Sequence, residues 1–200
     1  MKTGTGERPA ETKRALRAEL SARRARLGAE ERAAHALAIA RRIDELPAFR
    51  AAGTVALYAA LGAEVDATRI TGAALVRGAR VVFPRSVPGR RQLAFARCDP
   101  ADLVRGPFGA AEPPPGAPEV DLAEIGCVVL PGVAFSLDGH RLGRGGGHYD
   151  ATLAAMPSAA RIGVAFEVQL VPTLPREPHD AALDAVVTEI RTLLFARETR

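Results

Sequence analysis

The chain has 200 residues, 48% of them hydrophobic, which is enough for one domain with a core of its own. Its two cysteines, Cys98 and Cys127, are too few for a disulfide framework or a cysteine metal site, and no apolar run of about 18 residues predicts a membrane span. The net charge of +4 is uneven, because residues 1–50 hold 12 Lys or Arg and 7 Asp or Glu. Such a basic region is typical of a protein that binds nucleic acid, an anionic membrane or a polyanionic small molecule, and also of a solvated helix face.

The first part of the chain is predicted to be a leader followed by a helix. Residues 1–11 contain glycines and a proline and predict a disordered leader, so that a single α/β domain spans residues 12–200. From Thr12 onwards, leucines recur at intervals that a helix aligns on one face, and Gly28 interrupts this pattern.

A second helix is predicted after that glycine. It is expected to run to about Leu46 and to be stopped by Pro47. Leu37, Ile43 and Leu46 are its predicted inward-facing residues.

Beyond residue 50, short apolar stretches alternate with helical ones. Strands are predicted over residues 54–58, 80–84, 92–96, 125–131, 161–166 and 185–189. The remaining predictions are helices over 66–79 and 149–156, a Pro-rich connection without a packing signal over 108–118, and a helical or frayed end over 193–200. The alternation predicts a three-layer α/β/α sandwich with a largely parallel, Rossmann-like sheet. Ligands of such sheets usually bind beyond the carboxyl ends of the strands.

The stretch RLGRGGGHYD, residues 141–150, lies between a predicted strand and a predicted helix. Its glycines let the backbone approach a ligand closely, and backbone N–H groups near a helix N-terminus attract anions. Arg141 and Arg144 add charges that can bind phosphate oxygens through paired hydrogen bonds. The stretch lacks the Gly-Lys-Ser/Thr of a Walker A loop, and His148 stands where the dinucleotide pattern needs its last glycine. Phosphate binding, a structural turn and an RGG-like nucleic-acid segment therefore all remain open.

Charged residues elsewhere offer partners for such a loop. Lys13 and Arg17 are four residues apart on one helix face, where two cations can bind a polyphosphate or simply face solvent. Glu64 follows the first strand. A buried Glu at that position can accept hydrogen bonds from a heterocycle, whereas an exposed one is an ordinary loop acid.

Asp150 and Asp180 are candidate ligands for a Mg²⁺ ion that bridges phosphate oxygens, since Mg²⁺ needs only one or two protein carboxylates. Asp180 is equally suited to cap a helix. His148 and His179 are candidate ligands or proton carriers, and His179 is also typical of a surface residue. The sequence has no Ser/His/Asp set and no His beside either cysteine, so it does not predict a protein nucleophile.

Together these segments resemble the 5-formyltetrahydrofolate cyclo-ligase family, whose members are also called 5,10-methenyltetrahydrofolate synthetases. The most specific part is LPGVAFSLDGHRLGRGGGHYDATL at residues 130–153. KRALR, EVDAT, FPR and AFEVQLVPTLPREPHDAALDAVVTE resemble further segments of the family in the family's order, so that the resemblance covers residues 12–190.

The resemblance implies an ATP- and Mg²⁺-dependent ring closure. The formyl oxygen of 5-formyltetrahydrofolate attacks the γ-phosphate of ATP, and N10 of the folate then attacks the activated carbon. The products are 5,10-methenyltetrahydrofolate, ADP and phosphate. Positioning and charge neutralisation suffice for this chemistry, which agrees with the lack of a predicted nucleophile.

The resemblance also implies roles for individual residues. The ATP-binding residues are Lys13, Arg17, Arg141, Leu142, Gly143, Arg144, Gly145, Gly146, Gly147, His148 and Tyr149. The folate-binding residues are Ala59, Glu64, Arg144, Gly145, Gly146, Gly147 and His148. Arg144 and Tyr149 are the implied catalytic residues, and Asp150 and Asp180 are the implied Mg²⁺ ligands. Gln169 lies where the family often has a Gln near the site.

One residue departs from the family pattern. Many members have Tyr where this chain has His148, and an imidazole still stacks or hydrogen-bonds but titrates near neutral pH.

We expect a cytoplasmic monomer that binds 5-formyltetrahydrofolate and ATP, and neither nucleic acid nor a membrane. Two alternatives remain open. One is an RNA- or polyanion-binding module, against which the scarcity of aromatic residues counts, and the other is a sugar-phosphate enzyme of similar fold.

Overall fold

Residues 9–177 and 180–196 are described by a computed structural model, in which helices and short strands surround one large sheet. The helices are α1 (Pro9–Ala25), α2 (Ala29–Asp44), α3 (Pro47–Ala51), α4 (Thr68–Val76) and α5 (His148–Leu153). The strands are β1 (Thr54–Ala56), β2 (Arg80–Arg85), β3 (Ala94–Ala96), β4 (Val104–Arg105), β5 (Ala111–Glu112), β6 (Glu119–Val120), β7 (Cys127–Leu130), β8 (Ala134–Ser136), β9 (Arg141–Leu142), β10 (Ala160–Val164), β11 (Leu170–Val171), β12 (Ala185–Val187) and β13 (Thr192–Leu194).

The large sheet has eight strands in the order β13-β12-β10-β7-β1-β2-β3-β6. Its interior pairs, from β12 to β2, are all parallel, and the pairs at its two edges are antiparallel. From β1 the chain moves outward to β2, whereas from β7 it moves the other way, through β10 to β12. The boundary between β1 and β7 is therefore the switch point at which such sheets bind ligands.

Alternate residues of the central strands pack on opposite faces of the sheet. On β1, Val55 faces the cluster that contains α2, α3 and α4, whereas Ala56 faces the cluster that contains α5. The same alternation separates Val129 from Leu130 on β7, as the two-residue period of a strand requires. Helices thus cover both faces, and the predicted three-layer, largely parallel α/β architecture is confirmed.

Helix α1 does not pack on the large sheet. It lies against a small three-stranded sheet, β11-β8-β9, where Leu20 of the helix contacts a cluster that includes Val133, Leu142 and Leu174. Strand β9 leads directly into the glycine-rich stretch. The basic face of α1 is consequently held beside that stretch.

Several predicted element boundaries need correction at the N-terminal end. Helix α1 begins at Pro9, so the predicted leader is wrong for residues 9–11, while residues 1–8 lie outside the described part of the chain. Pro47 does not only end a helix, because it occupies the first turn of α3, where its missing N–H costs nothing. Leu37 was predicted to face inward and is 39% exposed. The smaller Ala36 and Ala40 take the inward positions on α2 beside Ile39 and Ile43.

Two other predictions are corrected at the sheet edges. The end of the chain is neither helical nor frayed as far as it is described, because residues 192–194 form β13, paired antiparallel with β12. The Pro-rich stretch 108–118 is not an unpacked connection, since it contains β5, which pairs with β4 in a hairpin. Within residues 9–177 and 180–196, no helix is long and apolar enough to cross a membrane.

We expect Gly163→Ala to destabilise the fold. A Cβ at this position on β10 would lie 2.5 Å from the ring of Phe135 and 2.9 Å from Cδ1 of Leu183, and both of these side chains are buried in the core. Overpacking of this kind typically costs about 1–3 kcal/mol of unfolding free energy, which urea denaturation would measure. Gly72→Ala is the matched control. Gly72 lies inside α4 with no atom near its Cβ position, so Gly72→Ala should raise the free energy of unfolding by about 0.5–1 kcal/mol. Equal effects at the two positions would contradict this account of the sheet.

Candidate active site

A cavity of about 470 Å³ opens at the carboxyl ends of β1, β2 and β7, beside the switch point of the sheet. Residues from distant parts of the sequence line it, including Lys13, Ala59, Glu64 and Asp180. Its wall also contains Arg17 and the entire stretch 141–150, so that this one cavity gathers the ATP-, folate- and Mg²⁺-binding residues implied by the resemblance. Gln169 is not among the lining residues, and His179 lies outside the described residues.

The glycine-rich stretch passes close beneath α1. The Arg17 guanidinium donates a hydrogen bond to the carbonyl of Gly143 at 2.9 Å, and a Cβ at Gly145 would lie 3.6 Å from its Cζ. Gly145 and Gly147 have φ angles of 109° and 68°, which side chains rarely adopt. The backbone conformation therefore favours glycine at both positions, while a Cβ at Gly145 would be in ordinary van der Waals contact with Arg17.

Cations and carboxylates of the cavity are paired with one another. The Lys13 ammonium lies 2.7 Å from a carboxylate oxygen of Glu177 and 3.0 Å from one of Asp180, and its side chain is only 9% exposed. Burial alone would lower the pKa of Lys13, but the two carboxylates outweigh burial and raise it. On the glycine-rich stretch, Arg141 donates to a carboxylate oxygen of Asp150 at 3.1 Å. Both implied Mg²⁺ ligands thus have a cation as a neighbour.

Arg144 differs from these paired cations. It is exposed on the cavity wall, and among the residues that the structure describes it makes no hydrogen bond or ion pair. A second guanidinium, that of Arg24, is buried behind the wall and donates to the carbonyl of Gly132 at 3.1 Å. Burial lowers the pKa of Arg24, and the nearby charge of Arg144 lowers it further, while Glu64 raises it. The guanidinium of Arg144 therefore lies on the cavity wall, where a bound ligand can reach it.

The loop after β1 forms the opposite wall. Tyr58 is buried and donates its hydroxyl proton to the carbonyl of Val65 at 2.6 Å, and burial raises the pKa of this phenol well above its ordinary value. The Glu64 carboxylate accepts a hydrogen bond from the backbone N–H of Leu61 at 2.9 Å. The loop is thus closed on itself, with Glu64 held at the cavity wall.

His148 and Tyr149 lie side by side with different surroundings. Burial raises the pKa of Tyr149, the neighbouring Arg141 opposes this, and the Arg141 guanidinium stands 5.4 Å from the centre of the Tyr149 ring. His148 hydrogen-bonds through Nδ1 with the carbonyl of Arg91 at 2.8 Å, and its ring centre lies 5.2 Å from that of Phe108. His148 therefore packs against an aromatic ring.

Some of the cavity residues were not identified from the sequence, because they belong to the stretch 108–118, which was predicted to be an unpacked connection. Phe108 lines the cavity from the tip of the β4–β5 hairpin. Glu112, which is 9% exposed, accepts hydrogen bonds from the backbone N–H of Ser86 at 2.9 Å and from its hydroxyl at 2.6 Å. A Glu followed by prolines carries little information alone, and no strand was predicted from the sequence at Glu112.

Gln169 is a structural residue in this fold. Its side-chain amide donates to the carbonyls of Gly132 and Val133 at 2.9 and 3.0 Å, and its side-chain oxygen accepts from the N–H of Phe166 at 3.0 Å. The side chain is buried and ties the loop after β10 to the loop after β7. The interpretation of Gln169 as a residue near the site is correct only in the sense that it supports the cavity wall at Gly132.

The carboxylates of Asp150 and Asp180 are suitable Mg²⁺ ligands, but they do not form a complete metal site by themselves. Asp150 and Asp180 offer carboxylate oxygens, which Mg²⁺ prefers. Among the described residues, no three His, Cys, Asp or Glu side chains converge as a metal-binding group. Substrate oxygens would have to complete the coordination of an ion held here.

Comparison with known proteins assigns the family. A sequence model of the 5-formyltetrahydrofolate cyclo-ligase family matches residues 9–189. The chain belongs to this family. Its resemblance at residues 12–190 is thereby confirmed, and the matched region begins at the first residue of α1.

Relatives from bacteria and animals share the match. The chain is 34% identical over 152 residues to the 5-formyltetrahydrofolate cyclo-ligase of Mycolicibacterium smegmatis, with 72% of this chain and 77% of the relative covered. It is 26% identical to the enzyme of the same name from Mus musculus, with 88% and 93% covered. The solved structure of Aquifex aeolicus 5,10-methenyltetrahydrofolate synthetase superimposes with a TM-score of 0.80 at 32% identity, covering 94% of each chain.

We predict that Gln169→Leu destabilises the protein. The change leaves two buried carbonyls and one buried N–H without this partner, and an unsatisfied buried polar group costs about 1–3 kcal/mol. Urea denaturation would measure the loss. Gln92→Leu is the matched control, because Gln92 is exposed, and it should change stability by less than about 0.5 kcal/mol. A Gln169→Leu protein of unchanged stability would show that the two loops are held together by other contacts.

Proposed function

We propose that this protein is an ATP-dependent 5-formyltetrahydrofolate cyclo-ligase that forms 5,10-methenyltetrahydrofolate. The observation that supports this most is that residues implied by the family resemblance, from residue 13 to residue 180, line one cavity at the sheet's switch point. Its volume of about 470 Å³ is in the range of small-molecule sites, about 300–1,000 Å³.

The proposed reaction needs no protein nucleophile. The formyl oxygen attacks the γ-phosphorus, the bond from that phosphorus to the β–γ bridging oxygen breaks, and ADP leaves with the bond's electrons. N10 then forms its bond to the activated carbon, phosphate departs with the former formyl oxygen, and N10 loses its proton. The protein has to align the two substrates and neutralise charge on the phosphates.

The cations of the cavity suit the phosphate half of this site. Arg17 and Lys13 approach the glycine-rich stretch from α1, and Arg141 lies on the stretch itself. The Nε of Arg141 is buried without a hydrogen-bond partner within the described part of the chain. Arg144 is the cation best placed to act on the transferred phosphoryl group, because its guanidinium makes no hydrogen bond or ion pair among the described residues, whereas Arg17 is bound to the carbonyl of Gly143.

The apolar wall suits the folate half. Leu61, Leu93 and Phe108 line the cavity, and Leu61 donates its backbone N–H to Glu64. A carboxylate can accept two hydrogen bonds from the ring N–H and amino group of a pterin. His148, packed against Phe108, takes the place of the Tyr found in many members of the family, and in this proposal it keeps an aromatic face toward the substrate.

Asp150 and Asp180 would hold Mg²⁺ together with phosphate oxygens. When bound, the ion supplies positive charge that offsets the phosphates and the leaving ADP. On binding the metal, Asp150 would give up its ion pair with Arg141, and Asp180 would give up its ion pair with Lys13. The two released cations would then be available to phosphate oxygens.

Tyr149 is proposed to act as a hydrogen-bond donor. Because burial raises its pKa, the phenol keeps its proton at neutral pH and can stabilise developing negative charge, whereas it would be a poor general base.

The monomeric state and the cytoplasmic location stay predictions. The free state of Cys98 and Cys127 is compatible with a reducing compartment.

We expect the purified protein to convert 5-formyltetrahydrofolate to a product with methenyl absorbance only when ATP and Mg²⁺ are both present. The comparison arms omit ATP, replace Mg²⁺ with EDTA, or add excess Mg²⁺ after EDTA. ATP-independent turnover, or no turnover at high enzyme concentration, would contradict the proposal. Full activity in EDTA would remove Mg²⁺ from the proposed reaction.

Arg144→Ala is predicted to lower kcat by about 100-fold or more, the usual loss on removal of a charged donor to a transition state. Stability should be unchanged, since Arg144 is exposed and holds no ion pair among the described residues. Arg41→Ala, on an exposed position of α2, is the control for loss of one positive charge and should keep full activity. Near-full turnover by Arg144→Ala would remove this residue from the catalytic role.

A further inference from the structure

Lys13 is a cation whose charge is already compensated before any ligand binds. Its ammonium contacts two carboxylates, Glu177 at 2.7 Å and Asp180 at 3.0 Å. The backbone N–H of Glu177 donates to the same Asp180 carboxylate at 2.8 Å, so that the two acids are held together on one short segment. One lysine and two acids carry a combined charge of −1, at the place where a polyphosphate is proposed to bind.

This arrangement opposes the binding of a nucleotide without its metal. Phosphate oxygens that approach Lys13 meet a cation turned toward two carboxylates, and they place new negative charge beside both acids. A divalent cation removes this difficulty, because it offsets the acids while Lys13 turns to the phosphates. Charge interactions across about 4 Å change affinity about fivefold even in bulk water, and by more near a protein surface.

We propose that Glu177 is a positioning residue of the nucleotide site, which holds Lys13 in the unliganded protein and makes nucleotide binding depend on Mg²⁺. This inference rests on the proposed function, in which Lys13 contacts ATP and Asp180 contacts the metal. Glu177 is the nearer of the two acids to Lys13, but it is not one of the residues that the family resemblance implies.

Glu177 can be changed without dismantling the site. Its side chain is 47% exposed, compared with 16% for Asp180, and Asp180 continues to hold Lys13 after Glu177 is neutralised. Glu177→Gln keeps the shape and removes only the charge. The substitution is therefore expected to change the affinity for the nucleotide without unfolding the protein.

The test is a titration of the full-length protein with ADP by calorimetry, in Mg²⁺ and in EDTA. In the wild type we expect ADP to bind much more tightly with Mg²⁺. In Glu177→Gln the affinity for metal-free ADP should rise about fivefold or more, while the affinity for ADP with Mg²⁺ stays the same or falls. The ratio of the two affinities, a quantity that a purely structural role would not move, should shrink accordingly.

Glu124→Gln is the matched control, because Glu124 forms a similarly exposed 2.6 Å ion pair with Arg80 outside the cavity. It should leave both affinities unchanged. Metal-free ADP binding that is unchanged, weaker or undetectable in Glu177→Gln overturns the inference while leaving the proposed function intact. Wild-type protein that binds no ADP even with Mg²⁺ would instead overturn the proposed nucleotide site, and this inference with it.

Discussion

The close approach of α1 to the glycine-rich stretch is the contact on which the rest of the site depends. Arg17 donates a hydrogen bond to the carbonyl of Gly143 and passes over Gly145, where a Cβ would lie 3.6 Å from its Cζ. Any larger residue at position 145 would also have to adopt a φ of 109°. The helix that carries two of the proposed ATP-binding cations therefore docks on a backbone whose conformation favours glycine at this point.

Helix α1 packs in a cluster of its own, apart from the two clusters of the large sheet. The large sheet, with helices on both faces, is held together by its own two clusters of buried residues. Helix α1 uses a third cluster, built on the small sheet around Leu142, at the start of the glycine-rich stretch. A change in the position of α1 would thus move Lys13 and Arg17 relative to the phosphate site while leaving the parallel sheet undisturbed.

The sequence was a good guide wherever periodicity and burial agree, and a poor one where small residues fill the core. The parallel strands were predicted because β1, β7 and β12 are short and almost wholly apolar, as buried strands are. On α2, however, Leu37 is exposed while Ala36 and Ala40 are buried beside Ile39 and Ile43. In a chain with this much alanine, hydrophobicity alone does not say which face of a helix points inward.

The site itself was less accessible to local reasoning. The glycine-rich stretch alone left phosphate binding, a turn and a nucleic-acid segment open, and only the family resemblance joined it to Lys13, Glu64 and Asp180. Phe108 and Glu112 were missed because prolines around them indicated a connection, whereas the hairpin β4–β5 folds back over the cavity. Gln169 was placed near the site by the resemblance alone, and the structure gives it a supporting part, because its hydrogen bonds all go to backbone groups that shape the wall.

The pairing of opposite charges within the cavity connects stability to function. Lys13 and Arg141 have side chains that are 9% and 4% exposed, and a buried cation without a partner is strongly disfavoured. Asp180 and Asp150 neutralise them in the unliganded protein, and the same two carboxylates are the proposed magnesium ligands. A site built in this way stays folded while empty, and a nucleotide and a metal that arrive together can replace both partners without leaving a buried charge uncompensated. Arg144 stands outside this exchange, so its charge is available to the transferred phosphoryl group at every stage.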